Sequence, residues 1–377
     1  MRTHALNASI GLLFAVLLMG IWGCNVNSRS GQSSAPPPVP PRSTVAPHVI
    51  RTANGVKLTD QLTLGDPIAV ENVTVWPVYS SDPVPEDQGE FISLADAQEK
   101  KLAEVREISS SGQVNQLVIE NKGTSPILVL AGTLVKGGKQ DRQIAQDFII
   151  GPGKTSAVDA FCVEQGRWTA QREGESTQGY FKAQKYLAVK EVRDGGQFKG
   201  SQNDVWENVS KSNSIGGKAP QTGTLFATME EDNKEAKELR DRISKGITKG
   251  MEKTAETPFG LAYAVDGEVR EIRVFNDPRI LKHYSESIIS TIAVEADLGQ
   301  RKAKKDGKPI FNGDVDVKEV LTVVQEAEKN REEAMKTQAG NVNCLRAGED
   351  FSSSANFASE EDRRDQKAPV SRSWSKH

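Results

Sequence analysis

Between Ile68 and Glu164 the chain is a succession of short apolar segments cut by turn residues, and this rhythm limits what the first half can become. Ile68 to Tyr79 (IAVENVTVWPVY) alternates apolar and polar residues, as a strand with one buried face does. LAEVREIS and VNQLVIEN, separated by SSSG, read as a hairpin, and ENKGTSP as a turn. ILVLAGTLV is apolar on both faces and fits a strand inside a sandwich. DFII, the turn GPGKTS and AVDAFCVE continue the series, so the first half reads as all-β. A short helix opening at Ser93, with Asp96 three residues on, is the one interruption.

The second half has a different period. Glu230 to Glu256 carries Leu239, Ile243, Ile247 and Met251 at helical spacing. LAYAV and VREIRVF flank Asp266-Gly267, a type I′ hairpin signal. Asp277-Pro278 then opens a helix to about Leu298, and a third helix follows at about Val317 to Gln338. QNDVW (202–206) lies among Gly- and Ser-rich loops, and the chain from Ser352 to His377 is polar enough to be disordered. The expected fold is α+β, a β-rich, sandwich-like N-terminal half with a helix–hairpin–helix C-terminal half packed on it. The halves should form one cooperative unit, because the hairpin at 261–275 has few partners of its own.

The N-terminus reads as an address. Arg2 and His4 precede the apolar run Ala8 to Trp22, which is short for a membrane span and suits a signal-peptide core. Ile21-Trp22-Gly23-Cys24 resembles a bacterial lipobox, in which Cys24 is acylated and becomes the anchor, although Trp22 is bulky for its place. Asn25 fits transfer to the outer membrane, so the expected location is the cell envelope, lipid-anchored on the periplasmic face, with the bilayer as partner through Cys24. The divisions expected are a signal peptide (1–23), a Ser/Pro-rich tether (24–57), a folded domain (58–298), a helical extension (299–351) and a disordered tail (352–377). A net charge of −3 gives no reason to expect nucleic acid as a partner.

Motifs for known chemistry mostly fail on their spacing. GPGKTS lacks the earlier glycine of a phosphate loop, since Phe148 stands there, and reads as a turn. Asp314-Val315-Asp316 lacks the glycine of a calcium loop, and His283 is the one histidine within the fold, so no metal or cofactor is expected. Cys162 and Cys344 could pair only in an oxidising compartment, and Cys162 with His283 makes a weak dyad beside the plainer reading of Cys162 as a buried hydrophobe.

The stretch from Ala131 to Trp168 holds the polar residues that remain. Two runs, GGKQDR (137–142) and EQGRW (164–168), follow apolar strands and set amide, guanidinium and carboxylate groups close together. Arginine offers a fork for carboxylate or phosphate, and glutamine a paired donor and acceptor. The plain alternative is a structural network in which Arg167 pairs with Glu164 and Gln140 satisfies a strand end. GGKQDR, CVEQGRW, QNDVW and the hairpin-to-VF stretch resemble the ARG and rhodanese-phosphatase-superfamily-associated protein domain, over about Leu58 to Leu298. The resemblance puts that family's shared polar residues on Gly138, Gln140 and Arg142, then on Cys162, Glu164, Gly166, Arg167 and Trp168, with Gln202 and Trp206 in the later box. It implies a neighbourhood of ADP-ribosylglycohydrolases and phosphatases, not a reaction.

Three functions follow from these residues. The first is an envelope module binding an anionic small molecule or modified group, ADP-ribose-related in one version, through Gly138, Gln140, Arg142, Gln165, Arg167, Trp168, Gln202 and Trp206. The second is a metal-independent hydrolase with Glu164 as general acid/base, Arg142 and Arg167 holding charge, and Cys162 as a weaker catalytic candidate. The third is a structural lipoprotein with no ligand.

Overall fold

The computed structural model describes residues 51–52, 55–86, 89–109, 115–172, 175–177 and 179–377; Cys24, the signal segment and most of the tether lie outside these. Its fold is α+β, β-rich in the N-terminal half with the long helices in the C-terminal half.

Six strands of the first half close into an antiparallel barrel. Around the barrel they run Thr133–Gly137, Arg142–Ile144, Thr155–Cys162, Gln116–Asn121, Ala103–Glu107 and Tyr180–Leu187. Alternation decides what fills it. Val105, Leu117, Ile119, Val135, Ile144, Val158, Ala160, Phe181 and Ala183 belong to one buried cluster, each on the inward parity of its strand. The expected hairpin is present, with Val105 opposite Ile119. ILVLAGTLV is not one strand. It divides into Ile127–Val129 and Thr133–Gly137 around Ala131-Gly132, where Gly132 has φ +82°. Apolarity on both faces arises because each piece is buried in a different sheet.

The strands between Arg51 and Ser80 join the second half in one large sheet, while Phe148–Ile150, Ile127–Val129 and Ile92–Ser93 form a separate three-stranded sheet. At its middle Val73–Ser80 pairs with Gly260–Val265, which pairs with Glu268–Phe275 across the predicted turn. Asp266 (φ 53°) and Gly267 (φ 84°) both take the left-handed conformation a type I′ turn requires. Helices Lys234–Met251 and Pro278–Lys305 cover one face of this sheet, burying Leu239, Ile243, Ile247, Ile288 and Ile292. Helix Val317–Glu328 covers the other face with Val320, Leu321, Val323 and Val324. Ser93 and Asp277 cap their helices as expected, their side chains accepting from the Asp96 and Arg279 amides.

The C-terminal expectations need correction. The third helix ends at Glu328 and is followed by strands Glu333–Lys336 and Val342–Arg346. The stretch expected to be disordered supplies Phe351–Phe357 and Ser371–Lys376, and the latter lies inside the sheet between Glu268–Phe275 and Phe351–Phe357. Its composition misleads because serines carry the face toward the barrel side: Ser352, Ser354, Ser373 and Ser375 are buried and hydrogen-bonded. Trp374 anchors the opposite face, fully buried, with its Nε1 donating to Glu328 Oε1 at 2.7 Å.

QNDVW is likewise not a loop. It opens the helix Gln202–Ile215, capped by Ser201, which packs with a helix the periodicity did not announce, Lys190–Gln197, against the outside of the barrel. Between that second helix and the large sheet the seam is ionic: Arg193 Nη2 meets Glu271 Oε2 at 2.5 Å, both buried.

Candidate functional site at one end of the barrel

The two polar runs meet at one end of the barrel. Strand Arg142–Ile144 lies beside Thr155–Cys162 with Arg142 opposite Cys162. Arg142 shares its face with Ile144, and Cys162 with Ala160, so both side chains project into the barrel. Glu107 shares its face with Val105 and enters from the third wall.

The double glycine before this strand is demanded by packing. Gly138 has φ +48°, and a Cβ there would stand 2.0 Å from Phe181 Cζ; at Gly137 (φ +136°) it would stand 2.4 Å from the Tyr180 carbonyl. The turn leaves both glycine carbonyls facing Arg167. That residue, 6% exposed, donates from Nη1 to the Gly138 and Thr169 carbonyls at 2.7 Å and from Nη2 to the Gly137 carbonyl at 3.0 Å. Its Nε and Nη2 also bind Glu164, at 3.0 Å to Oε1 and 2.7 Å to Oε2. Glu164 accepts in addition from the Asp141 amide at 3.0 Å and is 1% exposed.

This geometry bears on the hydrolase expectation. A general acid/base needs a lone pair or proton within reach of a substrate. Both oxygens of Glu164 are turned to Arg167 and to backbone, so the pair has the form of the structural network. Cys162 is also poorly placed as a nucleophile: it is fully buried, and burial pushes its thiol up to about 11, with the Glu107 and Glu164 charges adding to the effect and Arg142 opposing it. Neither Cys162 nor Cys344 forms a disulfide among the described residues, and His283 faces Glu90 at 3.5 Å.

Arg142 differs from Arg167. It is fully buried, and its Nη1 donates to the Gln140 carbonyl at 2.9 Å, but Nε and Nη2 meet no acceptor among the described residues. Trp168 lies over it, with the guanidinium carbon 5.6 Å from the indole centroid, and Lys139 Nζ is 5.5 Å from the same ring. Trp168 is 44% exposed, so a ring that lies over this buried, under-satisfied cation itself faces solvent.

The remaining candidates have structural placements. Gln140 Nε2 donates to the Gln165 carbonyl at 3.3 Å; Gln140 is buried, whereas Gln165 and Gly166 are exposed at the turn. A Cβ on Gly166 would meet Thr222 Cα at 3.1 Å. Gln202 reaches from its helix to Cys162, accepting from the amide at 2.9 Å and donating to the carbonyl at 2.8 Å. It thereby continues the ladder where the neighbouring strand has stopped. Trp206, one turn on, is half-buried, and its Nε1 has no partner among the described residues.

Two participants escaped the sequence reading. Asp141, fully buried, accepts from the Gly137 amide at 3.0 Å and the Thr224 hydroxyl at 2.8 Å, holding the turn shut. Glu107 accepts from the Lys139 amide at 3.1 Å through Oε1, while its Oε2 is buried with no donor among the described residues. The alternation Ala103, Val105, Glu107 was the available signal, since it places Glu107 inward. Among the described residues no group of three or more His, Cys, Asp or Glu could hold a metal ion.

A cavity of about 1330 Å³ lies elsewhere, lined by Cys344, Arg346 and Arg372 of the C-terminal strands and Arg363 of the helix Glu360–Arg364 among others; none of the predicted site residues lines it. No curated protein and no solved structure matches the chain. A family model, that of the ARG and Rhodanese-Phosphatase-superfamily-associated Protein domain, matches residues 61–361. The match runs beyond the expected boundary at Leu298 and takes in the helix Val317–Glu328 and the strands Val342–Arg346 and Phe351–Phe357. With most of its length covered, the chain belongs to the ARG and rhodanese-phosphatase-superfamily-associated protein domain family.

Proposed function

We propose that this is an envelope-anchored binding module that takes an anionic group, of a small molecule or a modified macromolecule, at the barrel end, with Arg142 as the recognising residue. The observation that carries the reading is the state of Arg142: a desolvated guanidinium with two donor nitrogens unpartnered. Such a group costs free energy in the empty protein, and an incoming carboxylate or phosphate would recover it through a forked, charge-assisted pair. Trp168 supplies an apolar roof, and Arg167, Glu164 and Asp141 hold the loop that carries it.

Anchoring through Cys24 belongs to the same proposal and rests on the lipobox-like IWGC sequence. Wild-type protein should partition into detergent, and Cys24→Ser should release it; a soluble wild type without lipid mass would remove that part.

Binding is tested by titration calorimetry with phosphomonoesters, simple carboxylates and ADP-ribose. At least one should bind the wild type and lose about a hundredfold in affinity with Arg142→Met, the scale of a lost charged hydrogen-bond pair. Affinity equal in both proteins would retire the reading.

A further inference from the structure

Resting on the assignment of Arg142 to an anionic group, we infer that the ligand is a zwitterion whose second pole is an ammonium, received by Glu107. Two unsatisfied groups of opposite kind sit at the same end of the barrel. Arg142 has free donors at Nε and Nη2, and Glu107 has a free acceptor at Oε2; both residues are more than nine-tenths buried. They do not satisfy each other, since no ion pair joins them within 4.0 Å among the described residues. Both nevertheless act on the Cys162 thiol, Arg142 lowering and Glu107 raising its proton affinity.

The charge count favours an ammonium over a hydroxyl. Among the described residues, Arg142, Arg167 and Lys139 already stand against Glu107, Asp141 and Glu164. A plain anion would leave this desolvated end with excess negative charge and the Glu107 oxygen still without a donor. A ligand carrying an acid and an amine satisfies both side chains and adds one negative charge fewer than its hydroxyl counterpart. Buried donors and acceptors left unpaired by the wrong ligand are also the strongest source of discrimination a site has.

The test uses matched pairs on the full chain: 2-aminoethyl and 3-aminopropyl phosphate against their hydroxyl counterparts, with calorimetry on wild type, Glu107→Gln and Arg142→Met. Glutamine keeps an acceptor for the Lys139 amide, and a thermal melt checks that the fold is retained. In the wild type at least one amine should bind about tenfold or more tightly than its hydroxyl partner, the scale of a hydrogen bond to a charged group. Glu107→Gln should erase that preference while the remaining phosphate binding stays sensitive to Arg142→Met. Arg142-dependent binding with no amine preference, or a preference that survives Glu107→Gln, would overturn the zwitterion assignment alone. No binding of any of the four esters would likewise overturn the zwitterion assignment alone, whereas binding indifferent to Arg142→Met would overturn the assignment of Arg142 as well.

Discussion

Arg167 and Glu164, three residues apart, close on each other as a buried pair, Nη2 to Oε2 at 2.7 Å, and the arginine's remaining donors are taken by the carbonyls of Gly137, Gly138 and Thr169. The pair ties the EQGRW turn to the GGKQDR turn, so two loops distant along the strands behave as one unit.

Breaking this pair should therefore cost stability. Arg167→Ala leaves the buried Glu164 carboxylate without its cation and removes a donor from the Gly137 and Gly138 carbonyls, and a loss of about 3–5 kcal/mol is expected. Glu164→Gln should cost less, since an amide can still accept. Urea denaturation of both single variants and the double variant measures the coupling, and additive effects would mean the pair contributes nothing of its own.

Arg142 should behave in the opposite way. Among the described residues its buried guanidinium has no ion pair, so Arg142→Met, similar in length and apolar, should hold or raise stability, by about 1–4 kcal/mol, the scale of buried ion-pair replacements. A thermal melt without ligand checks this. A gain in stability joined to a loss of binding is the pattern of a residue kept for function; destabilisation by several kcal/mol would instead make Arg142 part of the framework.

Cys162 gives a pH dependence with a definite sign. Its folded thiol is raised to about 11 from an ordinary value of 9.0, so the unfolded chain loses its proton first. The associated stability is present below pH 9 and is lost as pH rises from about 9 to about 11. Cys162→Ala should flatten that part of the stability curve relative to wild type. Native protein at pH 8 should also leave Cys162 unmodified by iodoacetamide, as peptide mass mapping would reveal; rapid native labelling would contradict its burial.

The last strand is predicted to be indispensable. Ser371–Lys376 bonds to strands on both sides and carries Trp374 into the core. Ending the chain after Val370 should expose two strand edges and give aggregation, and Trp374→Ala should cost about 3–5 kcal/mol. A monomeric, cooperatively melting truncation would show the sheet to be complete without it. Ending the chain after Gly200 should also aggregate, because Val73–Ser80 then loses its partner Gly260–Val265.

Local pattern determined much of this protein. Alternation announced the strands of the barrel, helical spacing announced Lys234–Met251 and Pro278–Lys305, and Asp266-Gly267 announced its turn, since each rests on interactions between near neighbours. The two polar runs and Trp168 were legible for the same reason, both runs following apolar strands. What the tertiary structure decided was which charges end up satisfied. Arg142 and Arg167 are alike in sequence, but only the fold gives one a carboxylate and three carbonyls and leaves the other two empty nitrogens. Glu107 was an ordinary strand residue until barrel closure turned it toward Cys162. The serine-rich C-terminus read as polar because composition records residue type, whereas burial of Ser352, Ser354, Ser373 and Ser375 depends on partners such as Gln197 and Asp194, more than 150 residues away. Hydrogen-bond satisfaction is a property of packed pairs, and it appears only when distant strands have met.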